Sequence, residues 1–116
     1  MRVHILAIGR LRSGPESALI EDYLARFERN YREFQAAFRT IYPDSMIAYS
    51  YKTNYLPALC QTVDRLGGYA EVVSSLEYEL ARRVGVAPER IIFNGPLMDE
   101  ADLPKQFKGP FLNIVF

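Results

Sequence analysis

Gly67-Gly68-Tyr69-Ala70-Glu71-Val72-Val73-Ser74-Ser75-Leu76-Glu77 contains one complete joint of an α/β fold. The paired glycines close the segment before it, because glycine reaches the left-handed backbone that ends helices without a steric penalty. Ala70 to Val73 then form a short β-rich apolar run bounded by turn residues, which reads as a strand. Ser74 and Glu77 stand three residues apart in the order of a capping box, where the hydroxyl and the carboxylate each satisfy a backbone N–H at the start of a helix. That helix is predicted to stop at Gly85.

The same alternation extends in both directions. Strand candidates are Arg2 to Ile8, Met46 to Tyr51, Ala70 to Val73, Arg90 to Phe93 and Phe111 to Val115, each beside a helix-length segment. The expected fold class is therefore α/β, with about five mostly parallel strands and alternating helices in an open, doubly wound sheet. The first helix has a serine cap candidate in Ser13, with Pro15 in its first turn and Glu16 three residues after the cap. Leu19, Ile20, Tyr23, Leu24, Phe27, Tyr31, Phe34, Phe38 and Ile41 then recur at helical spacing as far as the turn at Tyr42-Pro43-Asp44. A helix of about 25 residues exceeds the ordinary length, so a kink or break is expected near Arg26 to Asn30. A second helix is predicted from Tyr55 to Leu66 behind an Asn54 cap, and a short fourth one within Met98 to Lys108.

The chain has 116 residues and reads as a single domain, 1–116, without linker or repeat. Its 14 Lys and Arg balance 14 Asp and Glu, so no global field draws it to nucleic acid or to an anionic membrane. Arg2, Arg10 and Arg12 make the first twelve residues basic, a small patch. One cysteine, Cys60, and one histidine, His4, leave no internal disulfide and no Cys/His metal site. A reducing cytoplasm is the expected compartment. The apolar run Val3 to Ile8 is too short to cross a bilayer. Cys60 falls on the apolar face of its helix, and His4 reads as a packed or edge histidine.

Parallel strands joined by helical crossovers open their C-terminal ends on one side of the sheet, where ligand sites of such folds lie. The polar residues placed there are Gly9 and Arg10, Lys52 to Asn54, Ser74 and Ser75, and Asn94 and Gly95. Lys52 can be read in two ways. It is either a solvated strand-end cation or an amine whose pKa is lowered by desolvation, able then to bond an aldehyde such as that of pyridoxal phosphate. Glu71, inside a strand, is either a neighbour of Lys52 across adjacent strands or a solvated edge residue. Glu77 reads as a cap.

Four blocks in order resemble the fold-type III pyridoxal-phosphate decarboxylases, the diaminopimelate and ornithine decarboxylase group with an alanine-racemase-like barrel. They are FERNYREFQAAF from Phe27 to Phe38, IAYSYKTN from Ile47 to Asn54, GYAEVVSSLEYEL from Gly68 to Leu80, and GVAPERIIFNG from Gly85 to Gly95. The resemblance implies that Lys52 is the Schiff-base lysine and that Glu71, Ser74 and Asn94 line the cofactor. Glu71 stands where the family often has the shorter aspartate, while Ser74 and Glu77 match its S-x-x-E. No metal is implied. The opening stretch, Met1 to Phe27, instead resembles the start of the ribosomal RNA large-subunit methyltransferase H family, of the SPOUT type. That family's cofactor knot has no counterpart after Phe27, so methyltransferase activity is not expected.

These resemblances imply a fusion, with 1–27 methyltransferase-like and 28–116 a partial TIM barrel of the decarboxylase type. The family's phosphate-binding glycines lie beyond the segment present, so the decarboxylase chemistry is expected to be incomplete and cofactor binding weakened. Two alternatives are a folded chimera without activity and an RNA-binding remnant. The family implies a small amino-acid substrate. The last strand, apolar to Phe116, is expected to pair in a homodimer or domain-swapped dimer.

Overall fold

A computed structural model of the chain describes residues 14–94. Helix α1 spans Pro15–Ile41, strand β1 Ala48–Ser50, α2 Pro57–Arg65, β2 Tyr69–Val72 and α3 Ser75–Val84. A single 3-10 turn, Pro88–Arg90, leads into β3, Ile91–Phe93. The three strands are parallel in the order β1-β2-β3. That is three strands among the described residues rather than about five. The two further candidates, Arg2 to Ile8 and Phe111 to Val115, lie outside the described residues, as do the fourth helix and the proposed pairing of the last strand.

The sheet is not doubly wound over this span. Its order runs straight through, with no reversal. Helices α2 and α3 both pack on β2 and touch each other, and α1 packs against α2. The helices thus share one face of the sheet, as successive crossovers of a barrel do. Strand alternation decides which side chains meet them. Tyr51, Ala70, Val72 and Ile91 join Cys60, Tyr78, Ala81 and Val86 in a single buried cluster, with Tyr49 and Phe93 at its margin. Cys60 is core, as its place on α2 predicted.

Local signals set most of the boundaries. Ser74 Oγ accepts the Glu77 N–H at 3.3 Å, and Glu77 Oε2 accepts the Val73 N–H at 2.8 Å, so the capping box forms with its carboxylate reaching one residue further back than the cap. Gly85 ends α3 at φ +108°, a backbone that costs glycine nothing. Helix α2 starts two residues later than predicted. Leu56 is its N-cap, with Pro57 first in the helix, and Asn54 Oδ1 accepts the Leu56 N–H at 3.1 Å in an Asx turn rather than capping the helix.

Helix α1 departs most from expectation. Its N-cap is Gly14, which has no side chain to cap with, and Pro15 occupies the first position in place of the predicted serine-capped start. It runs unbroken for 27 residues, so there is no break between Arg26 and Asn30. Ion pairs at i,i+4 support that stretch, Asp22 with Arg26 and Glu28 with Arg32. Tyr31 alone is buried along the helix, and its ring approaches Phe27, which meets Tyr49 edge-on at 5.8 Å. Glu28 also pairs with Arg65 at 2.7 Å, tying α1 to the end of α2. The Arg65 and Arg32 guanidiniums hold the Glu28 carboxyl at about 2, well below the usual carboxylate range. No described helix is long and apolar enough to cross a membrane.

Candidate active site

The second face of the sheet carries the polar strand residues among the candidates. With Tyr49, Tyr51, Ala70, Val72, Ile91 and Phe93 turned toward the helices, alternation gives the opposite face to Ser50, Glu71 and Ile92, which pair in one row across the three strands. Tyr69 and Val73 bracket Glu71 on the same face.

Beyond β1 the ladder continues. The Tyr51 N–H donates to the Glu71 carbonyl at 2.9 Å, and the Asn94 N–H donates to the Val72 carbonyl at 2.8 Å on the far side. A turn closes immediately after, with the Thr53 N–H donating to the Ser50 carbonyl at 3.2 Å, and Lys52 occupies its third position. The strand pairing ends at Ser50 with Glu71 and at Val72 with Phe93. Lys52, in the turn that follows β1, and Asn94, directly after β3, therefore both lie at the C-terminal edge of the sheet.

This arrangement modifies the site read from the sequence. Lys52 and Asn94 come to one edge, as predicted. Glu71 is half-buried, and the residue directly across from it is Ser50 rather than Lys52. Lys52 is exposed and forms no ion pair among the described residues, so the burial needed for desolvation is not supplied by them. Ser74 is engaged as the α3 cap, leaving its hydroxyl proton as the free donor. The Glu77 carboxylate at the same helix start makes it a poor cradle for a phosphate. Gly9, Arg10 and Gly95 lie outside the described residues. Ser50 was missed, although it stands only two residues before Lys52.

A family model described as "Pyridoxal-dependent decarboxylase, pyridoxal binding domain" matches residues 24–110. The chain belongs to that family. Diaminopimelate decarboxylase from Aquifex aeolicus is 39% identical over 67 residues, covering 58% of this chain and 16% of the relative. The crystal structure of diaminopimelate decarboxylase from M. jannaschii in complex with L-lysine superposes with a TM-score of 0.60 at 28% identity, covering 68% of this chain and 19% of that one. The chain thus spans less than a fifth of the length of these pyridoxal-dependent relatives. A separate similarity, 69% identity over 32 residues, links 28% of the chain to 20% of a ribosomal RNA large subunit methyltransferase H from Ruegeria sp.. The decarboxylase resemblance accounts for the parallel βαβαβ order seen here, and the helix-bearing face corresponds to the outside of a barrel.

Proposed function

We propose that this chain is the lysine-bearing part of a pyridoxal-phosphate-dependent amino-acid decarboxylase barrel, with Lys52 as the amine that holds the cofactor. The carrying observation is the placement of Lys52: an exposed amine without an ion-pair partner among the described residues, in the turn at the C-terminal edge of a parallel sheet of this family. When bound, pyridoxal phosphate supplies an aldehyde for the amine and an electron sink for the bond that breaks. A primary amine at the same sheet edge as the polar Asn94, with a carboxylate, Glu71, on the adjacent strand, suits such a group. Asn94 and the Ser74 hydroxyl supply hydrogen bonds, and Glu71 provides a negative charge near the amine. The described residues form no phosphate cradle, which agrees with a site completed by further barrel strands or by a partner chain. The substrate class is a small amino acid, the compartment the cytoplasm, and the methyltransferase-like segment an appended element with no part in this chemistry.

The test is trapping. The purified chain is mixed with pyridoxal phosphate, reduced with borohydride and mapped by peptide mass. Labelling concentrated on Lys52 over Lys105 and Lys108, and lost in Lys52→Ala, is the expected result. Equal labelling of all three lysines, or spectra of the parent and the variant that cannot be told apart, would overturn the reading.

A further inference from the structure

The apolar arc of α1 is wider than the surface it covers. Leu19 (70% exposed), Phe34 (55%) and Ile41 (72%) remain in the open, together with Ile20, Tyr23, Phe38 and Tyr42. At about 100° per residue, the six of these within α1 form a stripe beside the face that carries Tyr31, and Tyr42 is the C-cap that follows its last turn. Phe34 and Phe38 lie ring against ring at 4.8 Å, forming a pre-set aromatic ledge.

The stripe reads nearly the same in both directions. Ile20, Phe27, Phe34 and Ile41 follow each other at seven-residue steps, Tyr23 mirrors Phe38, and Leu19 mirrors Tyr42, all about a centre between Asn30 and Tyr31. Such a pattern is self-complementary under a two-fold axis that sets two copies of the helix antiparallel. The charges on the solvent edge of the stripe agree. Arg26, Arg29 and Glu33 lie there, and antiparallel pairing brings Glu33 of one copy level with Arg26 and Arg29 of the other. Neither Arg29 nor Glu33 has an ion-pair partner among the described residues. In a parallel pair this edge would face the other edge of the partner helix, and these charges would not meet one another. In extent, the exposed parts of the seven apolar side chains amount to on the order of 700 Å² per copy, close to the ~800 Å² per partner of a stable interface.

We propose that a second copy of this chain covers the α1 stripe, in an antiparallel two-fold dimer centred between Asn30 and Tyr31. The interface is independent of the role assigned to Lys52, which lies in the turn after β1 and not on α1.

Two exposed positions give the decisive test. Ile20→Cys and Ile41→Cys variants, carrying different tags, are mixed and oxidised; the native Cys60 is buried and stays silent. The antiparallel dimer gives a disulfide between the two variants in the mixture and little within either variant alone. Self-linking of each variant alone would indicate a parallel pair and overturn the proposal. In sedimentation equilibrium, Phe34→Glu with Phe38→Glu is expected to weaken association about tenfold or more, with helix content unchanged by circular dichroism. Glu33→Arg is expected to weaken it less, and adding Arg26→Glu and Arg29→Glu to restore it. A parent chain that is monomeric at every loading concentration, its stripe covered by other segments of the same chain, would refute the dimer. So would a dimer indifferent to the glutamates.

Discussion

Replacing Gly68 with alanine tests how α1 is held on the rest of the fold. A Cβ at this position would sit 2.5 Å from Tyr31 Oη, 2.6 Å from Val63 Cγ1 and 3.2 Å from the Val63 carbonyl. Ordinary non-bonded contact begins near 3.5 Å, so either the Tyr31 ring leaves its place or α1 and α2 move apart. Gly68 is also tied from the other side, since Arg90 donates to its carbonyl and to that of Asp64. Overpacking a closed site costs about 1–3 kcal/mol, and Gly68→Ala should fall in the upper half of that range because two of its three contacts are hard. Tyr31 allows the cause to be isolated. Its buried hydroxyl has no hydrogen-bond partner among the described residues, so Tyr31→Phe should be neutral or stabilising by up to about 1 kcal/mol. Removing that oxygen also removes the closest contact, so Gly68→Ala should cost about 1 kcal/mol less in the Tyr31→Phe background. Urea unfolding of the four proteins of the cycle, followed by far-ultraviolet circular dichroism, measures both quantities. A cost for Gly68→Ala within about 0.5 kcal/mol of zero, or the same cost in both backgrounds, refutes the reasoning.

Three other outcomes follow from the same contacts. Glu28 has a carboxyl held at about 2 in the folded chain against an ordinary value near 4.5, so the stability it adds is present above the higher value and is lost as pH falls toward the lower. Melting temperature should therefore drop across that window, less steeply in Glu28→Gln and less steeply in high salt, because the pair with Arg65 is solvent-screened. Ser74→Ala should lower stability by about 1 kcal/mol by removing the α3 cap, read from the same urea transitions. Lys52→Ala should leave stability within about 0.5 kcal/mol of the parent, since the side chain is exposed, while abolishing borohydride-trapped labelling at that peptide.

How far the sequence disclosed these features depends on whether each is fixed locally. The strands at β1, β2 and β3 fall within two residues of their predicted bounds, and α3 starts and stops where predicted, because Ser74, Glu77 and Gly85 act through their own backbones. The unbroken course of α1 was also available from the chain, in the charge pairs Asp22–Arg26 and Glu28–Arg32, but it was obscured by weighing helix length alone. The exposure of most of the α1 stripe was not available, because which part of an apolar arc is covered depends on the elements that pack against it. The site divides in the same way. The edge position of Lys52 follows from strand order. Its offset from Glu71 follows from register, which alternation alone leaves open by two-residue steps.

Register also explains why a tyrosine precedes the lysine. Tyr51 is 1% exposed and its N–H continues the ladder to Glu71, so the chain is fixed on both sides at the second residue of the turn. Burial of the phenol beside Cys60 raises its pKa, as expected for a ring closed in by the helices. Burying Tyr51 in the cluster against the helices leaves Lys52, the next residue of the turn, exposed at the C-terminal edge. A one-residue slip would exchange the two, placing an ammonium in the apolar cluster and a tyrosine at the open edge, and desolvating the charge would cost far more than the tyrosine's burial gains. The apolar packing behind the sheet thus favours the register in which Tyr51 is buried and Lys52 is left exposed at the C-terminal edge. The helix-facing core and the candidate site are set by the same alternation.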